Sequence, residues 1–477
     1  MHLLFIFKSI ENEPHGVLHI SSFVKQHGHR ISMVVATEED PVEAALRLKP
    51  DVVGYSVYSG VQGWYLGINR RLKAQLPGVL SLFGGPHPTY YPDIIEEEGV
   101  DAVCRGEGEY ALLYLLDALQ KGDPIEHLPN WWLKLDGRIV RNSLIDLELN
   151  LDKFPFPDRA LLYQAHPPSL RSKVKPFIAG RGCPFDCSYC FNKAFADLYQ
   201  AGRRTRWRSV DNVISEILEV KEKYPLEFLT FMDDTFVLNP KWLKEFAAKY
   251  KAAVGLPFWC QVRADLIVRR PETVKMLQQA GCASASFGLE TANDRLRNAI
   301  LKRNMTKEQI LEASRLLRQH GIALMTNNML GLPTGSLEAD FETLELNAQC
   351  RPAYANVFLF QPYPGTELGE MAFREGWTMG TFDDLSGSHT ENTIIKFGSD
   401  AEKRQIENLQ KLFALATELP FLIPFIKLLI KLPANRLYWM IYKLWKGYAM
   451  KRRMFPHKLT LWEYAGAFLQ FMRIRAQ

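Results

Sequence analysis

Three of the seven cysteines in this chain of 477 residues lie within the short segment GRGCPFDCSYCFN. They are Cys183, Cys187 and Cys190, with the spacing C-x3-C-x2-C. Four thiolates normally complete an iron–sulfur cluster, so three on one loop can hold three irons of a cubane and leave the fourth iron open to a small molecule. A zinc site needs a fourth ligand and usually a second C-x2-C pair, which the sequence lacks. The spacing therefore predicts a cluster with one open coordination position.

A β/α series that starts near residue 175 must position these cysteines, because they directly follow its first predicted strand. The apolar runs that predict its strands are PFIAG, EFLTFMD, PFWCQV, ASASFGL, IALMTNNMLG and ANVFLF. The intervening helices are predicted to start near Ser209, Pro240, Pro271, Thr306 and Ser336. Six βα units predict a central partial (β/α)6 barrel, whose reactive groups lie at the C-terminal ends of its strands.

The cysteine motif, with an aromatic residue (Tyr189) before its last cysteine, resembles the signature of radical S-adenosylmethionine (SAM) enzymes. The resemblance implies that Cys183, Cys187 and Cys190 hold a 4Fe–4S cluster whose open iron binds SAM. One-electron reduction then cleaves SAM to methionine and a 5′-deoxyadenosyl radical, which abstracts hydrogen from a small-molecule substrate. An external one-electron reductant of the flavodoxin or ferredoxin type is implied as a partner.

The resemblance extends to the ends of the later strands and implies further SAM contacts besides Tyr189. In FMDDTF, Asp233 or Asp234 would contact the SAM amino group, and in GLETAND, Glu290 would hold the ribose or methionine part. Asn327 and Gly331 fall in the glycine-rich fifth strand, whose backbone lies against adenine in this family. One departure is that the usual Glu-Ser-Gly-Ser after the fourth strand reads ETAN here.

The first 120 or so residues alternate short apolar strands with helical stretches. Strands are predicted at HLLFIF, ISMVV, DVVGYSV and VLSLFGG. The alternation predicts a doubly wound, Rossmann-like parallel sheet that is covered by helices on both faces and binds ligands at the carboxyl ends of its strands. Farther on, Asp136-Gly137 between apolar strands predicts a tight hairpin.

The segment LFGGPHPT, with GEGE shortly after it, follows the fourth of these strands. Together with the sheet it resembles the cobalamin-binding domain attached to many radical SAM enzymes. By that resemblance the candidate cobalamin contacts are Gly84, Gly85, His87, Thr89 and Glu107. The D-x-H-x-x-G cobalt-ligand motif is absent, so no histidine is expected on cobalt. The alternative is a sheet that supports the barrel and binds nothing.

The C-terminal tail is helical, aromatic and basic in its sequence pattern. From Phe421 onward it has eleven Lys and Arg and one acidic residue, whereas the whole chain has a net charge of +5. Pro424 and Pro433 interrupt its apolar run. Such a segment is typical of an interfacial helix on an anionic membrane surface and equally of a helical cap over the barrel mouth.

The predicted organisation is a cobalamin-binding domain at 1–140, a linker at 141–172, the radical SAM barrel at 173–373 and a helical region at 374–477. No apolar run is long enough for a membrane span and the N-terminus does not resemble a signal peptide. We therefore expect a cytoplasmic protein, with a peripheral position on the inner face of the membrane if the tail binds lipid.

The function implied by both resemblances is cobalamin-dependent methylation of an unactivated carbon. A membrane-surface location of the tail would favour an amphiphilic or lipid-like substrate. A radical cyclase or rearranging enzyme, like anaerobic magnesium-protoporphyrin cyclase, is the alternative, and a non-catalytic iron–sulfur or cobalamin sensor is an alternative of another class. Nucleic acid is not an expected partner, because residues 1–420 are acidic overall and the sequence shows no appended RNA-binding barrel.

Overall fold

The protein is described by a computed structural model that covers residues 1–199 and 205–457. These residues form two compact units. The first unit consists of residues 1–172 and a short stretch that begins at Ala194. The second unit consists of residues 173–193 and the part of the chain that comes after this short stretch. The segment predicted as a linker, 141–172, belongs to the first unit and contains two short helices.

The first unit is built on one sheet, and its strands are β1 (His2–Phe7), β2 (Arg30–Val35), β3 (Val52–Ser56), β4 (Leu80–Gly84), β5 (Ala102–Cys104), β6 (Trp131–Leu135) and β7 (Arg138–Arg141). Their order is β2-β1-β3-β4-β5-β6-β7. The first five are parallel, and β6 and β7 are antiparallel. The predicted doubly wound sheet is confirmed, and its strand order reverses between β1 and β3, where such sheets bind ligands.

The helices of this unit are α1 (His15–Gln26), α2 (Pro41–Leu48), α3 (Gln62–Gln75), α4 (Pro86–Tyr90), α5 (Glu109–Lys121), α6 (Arg159–Ala165) and α7 (Pro167–Arg171). Local chemistry explains several boundaries. Asp40 caps α2 by accepting the backbone N–H groups of Val42 and Glu43. The predicted hairpin is confirmed: Asp136 and Gly137 join β6 to β7 with φ of 48° and 73°, as a type I′ turn requires.

The second unit contains an open parallel sheet with the order β15-β14-β13-β12-β11-β8. Its strands are β8 (Val174–Phe177), β11 (Phe228–Phe231), β12 (Phe258–Gln261), β13 (Cys282–Glu290), β14 (Ala323–Leu330) and β15 (Tyr354–Leu359). A separate antiparallel pair consists of β9 (Gly180–Arg181) and β10 (Arg206–Trp207). The six parallel strands are those that the apolar runs predict, so the partial (β/α)6 barrel is confirmed.

The helices that follow are α8 (Phe191–Leu198), α9 (Val210–Lys223), α10 (Pro240–Ala253), α11 (Ala264–Arg269), α12 (Glu272–Ala280), α13 (Lys307–Gln319), α14 (Leu337–Cys350), α15 (Glu367–Arg374), α16 (Asp400–Glu418), α17 (Ile423–Leu429) and α18 (Arg436–Ala449). The predicted helix starts are confirmed. Ser209, for example, caps α9 by accepting the N–H of Asn212. Within the described residues, no helix is long and apolar enough to cross a membrane.

The C-terminal segment packs against the starts of the barrel strands. Met454 is fully buried in a cluster with Phe228, Trp259 and Tyr354. Its carbonyl oxygen accepts a hydrogen bond from the Ser284 hydroxyl. The segment therefore caps the N-terminal ends of these strands and not the barrel mouth at their C-terminal ends, where the cap was predicted and where the site lies. Residues 458–477, the rest of the predicted helical region, lie outside the described residues.

Candidate active site

The three cysteines lie on the loop between β9 and α8, directly after the first barrel strand. Cys187 is buried, whereas Cys183 and Cys190 are partly exposed, and none of the three is in a disulfide. Among residues 1–199 and 205–457, the structure shows no group of three or more His, Cys, Asp or Glu side chains that could hold a metal ion. Whether the loop suits a cluster therefore depends on the surroundings of each sulfur.

The sulfur of Cys187 is surrounded by positive charge. Nη1 of Arg263 lies 3.7 Å from it and Nη1 of Arg303 lies 3.5 Å from it, and both are hydrogen-bond donors. Both guanidinium groups are buried. N–H donors to the sulfurs are typical of iron–sulfur sites. The surroundings of Cys187 thus fit a cluster ligand.

The other two thiols also accept hydrogen bonds, Cys183 from the Phe185 backbone and the Thr235 side chain and Cys190 from the Asn192 backbone. Asn192 Nδ2 donates to the Cys190 sulfur over 3.7 Å. Burial raises the pKa of Cys190 to about 11 and also raises the pKa of Cys183. Both would therefore be neutral thiols at pH 7 without metal, and a coordinated metal would deprotonate them. This arrangement, three thiols on one loop with a hydrogen-bond donor at each sulfur, fits a 4Fe–4S cluster.

Two of the predicted SAM contacts meet beside this loop. The Tyr189 hydroxyl donates to Glu290 Oε1 over 2.8 Å, and Arg303 Nη2 lies 4.0 Å from the same oxygen. Glu290 ends β13 with φ of 65°, a strained value for a residue with a side chain. Its carboxylate turns back over Gly288, where any Cβ would collide with it. Burial raises the pKa of Glu290, and the charge of Arg303 opposes that rise.

The two aspartates after β11 both contact the start of the cysteine loop. Asp233 accepts the backbone N–H groups of Ala179, over 3.1 Å, and Gly180, over 2.6 Å. Burial raises its pKa to about 7, although these two bonds favour the carboxylate. Asp234 is more exposed, and hydrogen bonds from Asn192 and from the Gly182 backbone oppose the rise in its pKa that desolvation causes. Asp233 thus positions the loop, and Asp234 is the more accessible carboxylate.

The remaining predicted SAM contacts lie on and after β14. Asn327 Oδ1 accepts a hydrogen bond from Asn356 Nδ2 across the β14–β15 pair. Gly331 has φ of 66°, and a Cβ there would lie 2.9 Å from the Phe397 ring. Its N–H donates to Asp340. Gly331 therefore has conformational and packing reasons to be glycine, in addition to the predicted adenine contact.

Sequence reasoning missed Arg263, Arg303 and the segment that carries the latter. Ser188 of the cysteine loop binds this segment through its N–H to Leu301 O and its hydroxyl to Ile300 O. Arg303 lies between Lys302 and Asn304, which both have positive φ. Strained residues of this kind often lie at functional sites. Arg263 could have been found, because it almost directly follows β12 at the edge where reactive groups collect.

In the first unit, the loops after β3 and β4 are held together. Gly85 has φ of 96°, and a Cβ there would lie 2.9 Å from the Val57 nitrogen. The His87 N–H donates to Val57 O, and the His87 ring is hydrogen-bonded to the Ser59 hydroxyl over 2.9 Å. His87 is 1% exposed. Gly84 precedes this turn as the last residue of β4, so three of the predicted cobalamin contacts lie at one sheet edge.

Thr89 connects this turn to the loop after β5. Its hydroxyl donates to Gly85 O over 2.8 Å and accepts the Gly106 N–H over 3.1 Å. Glu107, the next residue, donates its N–H to the Tyr199 hydroxyl and accepts at its carbonyl oxygen from Asn130. The structure therefore brings all five predicted cobalamin contacts to the carboxyl ends of β4 and β5.

Comparison with known families agrees with both halves of this arrangement. The radical SAM superfamily matches residues 177–346, which contain the cysteine loop and most of the barrel. The B12 binding domain family matches residues 10–116, which contain the edge formed by β3, β4 and β5. The chain is a radical SAM enzyme with a cobalamin-binding domain. Its cofactors are accordingly a 4Fe–4S cluster, SAM and cobalamin.

Three curated relatives of this radical SAM enzyme show the range of the family. An uncharacterized methyltransferase of Pyrococcus horikoshii is 27% identical over 75% of the chain and 78% of that protein. The anaerobic magnesium-protoporphyrin IX monomethyl ester cyclase of Rubrivivax gelatinosus is 27% identical over 74% of the chain and 65% of that protein. The hopanoid C-3 methylase of Methylococcus capsulatus is 25% identical over 74% and 68%.

Solved structures agree on the fold. The cobalamin-dependent SAM radical enzyme OxsB, with aqua-cobalamin and SAM bound, has a TM-score of 0.69 at 14% identity and covers 94% of this chain and 71% of its own. The radical SAM methyltransferase TsrM of Kitasatospora setae, with cobalamin and a 4Fe–4S cluster bound, has a TM-score of 0.65 at 17% identity and covers 80% and 79%. At these identities the likeness concerns the architecture alone.

Proposed function

We propose that this radical SAM enzyme is a methyltransferase that acts on an unactivated carbon of an amphiphilic, lipid-like small molecule. The observation that carries the proposal is that one chain contains two features. One is a cysteine loop whose Cys187 sulfur accepts hydrogen bonds from two arginines, and the other is a sheet edge at Gly84–Thr89 that resembles a cobalamin site. The cluster and SAM, when bound, supply the radical that removes a hydrogen atom, and cobalamin supplies the methyl group.

The residues of the chain have distinct roles in this proposal. Cys183, Cys187 and Cys190 hold three irons, and Asp233 positions their loop through its bonds to Ala179 and Gly180. Glu290 and Tyr189 bind the ribose or methionine part of SAM as a hydrogen-bonded pair. Asp234 contacts the SAM amino group, and the backbone of the strand with Asn327 and Gly331 lies against adenine. The loops after β4 and β5 bind cobalamin through Gly84, Gly85, His87, Thr89 and Glu107. The loop after β3 would also contact the corrin.

Two kinds of support favour methylation of an apolar skeleton. Several relatives are named as methyltransferases or methylases, and two of them are hopanoid methylases. Apolar side chains are also exposed along the C-terminal helices, and contact with a membrane would bring the enzyme to such a substrate. The electron that starts each turnover would come from a flavodoxin or ferredoxin type of reductant.

A radical cyclase is the second candidate, because the magnesium-protoporphyrin cyclase is as similar to this chain as the first methyltransferase is. The two functions differ in their products. Methylation adds one carbon to the substrate, whereas cyclisation leaves the carbon count unchanged and removes hydrogen.

The test is an anaerobic incubation of the holoenzyme with reductant, a lipid extract and SAM that carries a trideuterated methyl group. We expect 5′-deoxyadenosine together with a lipid that has gained the labelled methyl. A dehydrogenated product without label would instead favour the cyclase, and protein that forms no 5′-deoxyadenosine would contradict both enzymes. The control pair is Cys187→Ala, which should lose the cluster, and Cys350→Ala, a buried thiol in α14 whose loss should leave it intact.

A further inference from the structure

The last two described α-helices, α17 and α18, together with the residues that flank α17, expose apolar side chains in two rows. We call residues 421–448 the C-terminal hairpin. Eight large apolar side chains in the hairpin are between 44% and 68% exposed: Phe421, Phe425, Leu428, Leu432, Leu437, Met440, Leu444 and Tyr448. Neighbours within each row are three or four residues apart, a spacing that places them on one side of a helix.

The opposite sides of the same helices are also apolar and are already packed. Ile426, Ile430 and Tyr438 are buried against α16. The Asn408 side chain donates to the carbonyl oxygens of Ile430 and Leu432, which attaches the hairpin turn to α16. A surface helix normally turns a polar face outward. The hairpin is thus a fixed element with an apolar outer face, and such faces mark interaction sites.

The charged residues of the segment itself have one sign. Residues 421–457 contain eight Lys and Arg and no Asp or Glu. Lys431, Arg436 and Arg452 are exposed. Trp439 and Trp445 are partly buried, and an indole ring favours the headgroup region of a bilayer. An occupant that complements this face must be apolar and must carry negative charge, which describes a bilayer surface with anionic lipids.

The same charges disfavour other occupants. A second copy of the chain would bring two sets of exposed cations together, including Lys431, Arg436 and Arg452, and like charges across an interface oppose association. Residues 458–477 add three more Lys and Arg and one acid, Glu463, so by composition they do not neutralise the face either. The helices are too short to span a bilayer, so contact with its surface is the remaining mode.

We propose that the C-terminal hairpin is a docking surface for an anionic membrane, with its two apolar rows in the interfacial region and its cations at the headgroups. The proposal does not depend on methyl transfer. Vesicle binding and turnover are separate measurements, so the two proposals can fail separately.

The first test is vesicle flotation of the full-length holoenzyme with phosphatidylcholine alone and with added phosphatidylglycerol. The variant Phe425→Glu/Leu428→Glu places two carboxylates in one row. The matched control is Leu149→Glu/Met379→Glu, two side chains that are 56% and 51% exposed elsewhere in the chain. We expect wild type and control to float with the anionic vesicles. The hairpin variant should bind at least tenfold more weakly, because two large apolar side chains that would leave water on docking are replaced by carboxylates, which anionic headgroups repel.

The second test concerns charge. Lys431→Glu/Arg436→Glu should weaken binding to anionic vesicles and make what remains less dependent on salt, whereas Lys241→Glu/Lys244→Glu on exposed positions of α10 should bind like wild type. Binding by all variants alike, or equally to both kinds of vesicle, would overturn the proposal. Wild type that floats with neither vesicle would also overturn it, whether a second copy or another part of the chain covers the hairpin.

Discussion

At the scale of single residues, the contact between two arginines and Cys187 has a consequence for electron transfer. Arg263 is paired with Asp265 at 2.7 Å, which offsets its charge. Arg303 is 4.0 Å from Glu290 and otherwise donates to the Gly288 carbonyl oxygen and to the Cys187 sulfur. More of its charge is therefore directed at the sulfur. Donors and positive charge at a cluster ligand stabilise the reduced, more negative cluster.

We therefore predict that Arg303→Gln shifts the midpoint potential of the cluster to more negative values and slows its reduction. An anaerobic redox titration followed by electron paramagnetic resonance measures the shift. Arg303→Lys keeps the charge, so its midpoint potential should lie between those of wild type and Arg303→Gln. Arg315→Gln, at an exposed ion pair with Glu312, should have the potential of wild type. An unchanged potential in Arg303→Gln, with full iron content, would mean that the guanidinium only positions the loop.

The bond between Tyr189 and Glu290 leads to a second prediction at this scale. Burial raises the pKa of the tyrosine, so its hydroxyl is a hydrogen-bond donor at neutral pH. Tyr189→Phe removes that donor from a buried carboxylate, which costs about 1–3 kcal/mol and frees Glu290 to turn. We expect a severalfold to tenfold loss of SAM affinity with unchanged iron content, measured by anaerobic equilibrium dialysis. Tyr114→Phe, on an exposed position of α5, is the control. Iron loss in Tyr189→Phe would assign the tyrosine to cluster assembly instead.

At the scale of elements, the turn that follows β4 is where backbone geometry restricts the residue type most clearly. Gly85 has φ of 96° and ψ of −171°, a combination that is essentially restricted to glycine. The N–H of His87 donates to Val57 O in the loop after β3, and the hydroxyl of Thr89 donates to Gly85 O within this turn. A shift of Gly85 would therefore move two of the predicted cobalamin contacts together.

Gly85→Ala should accordingly lose cobalamin and destabilise the first unit by about 1–3 kcal/mol. Cobalamin retained after desalting and the midpoint of urea unfolding are the two measurements. The control is Gly78→Ala, because no atom lies within 4 Å of a Cβ at that position. Normal cobalamin retention in a destabilised Gly85→Ala protein would separate the turn from the cofactor site.

Elements were predictable where the signal is local. The apolar runs predict the strands of both sheets, Ser209 predicts the start of α9, and Asp136-Gly137 predicts the hairpin, because each pattern acts over a few residues. The contact between Arg303 and Cys187 joins residues that are 116 positions apart. No local pattern indicates it, and the strained segment around Arg303 follows the ETAN departure from the family motif. The resemblance named Tyr189 and Glu290 separately, but their bond is a tertiary contact that only the structure provides.

At the scale of the whole molecule, the end of the described chain is part of the barrel's core. Ala449 is 1% exposed and Met454 is fully buried among Phe228, Trp259 and Tyr354. The Arg453 guanidinium also donates to the Ala353 carbonyl oxygen and pairs with Glu418. Removal of the tail from residue 421 onward would open this core, so loss of membrane binding after such a deletion would not identify the docking surface. Substitutions on the outer rows of the hairpin leave the core contacts in place.

A buried and an exposed methionine of the tail allow its two roles, packing in the barrel core and docking to a membrane, to be tested separately. Met454→Ala leaves a cavity in the barrel core and should lower the free energy of unfolding by about 2–5 kcal/mol, as large-to-small core substitutions do. Met440→Ala removes the same side chain from a position that is 44% exposed on the outer row of α18, and it should change stability by about 0.5 kcal/mol or less. Urea unfolding measures stability, and vesicle flotation measures docking. We expect the opposite order in flotation: Met440→Ala should bind vesicles more weakly, and Met454→Ala should bind like wild type while it remains folded. Equal destabilisation by both substitutions would mean that the outer row is also packed in solution, and the docking surface would then have to be sought elsewhere.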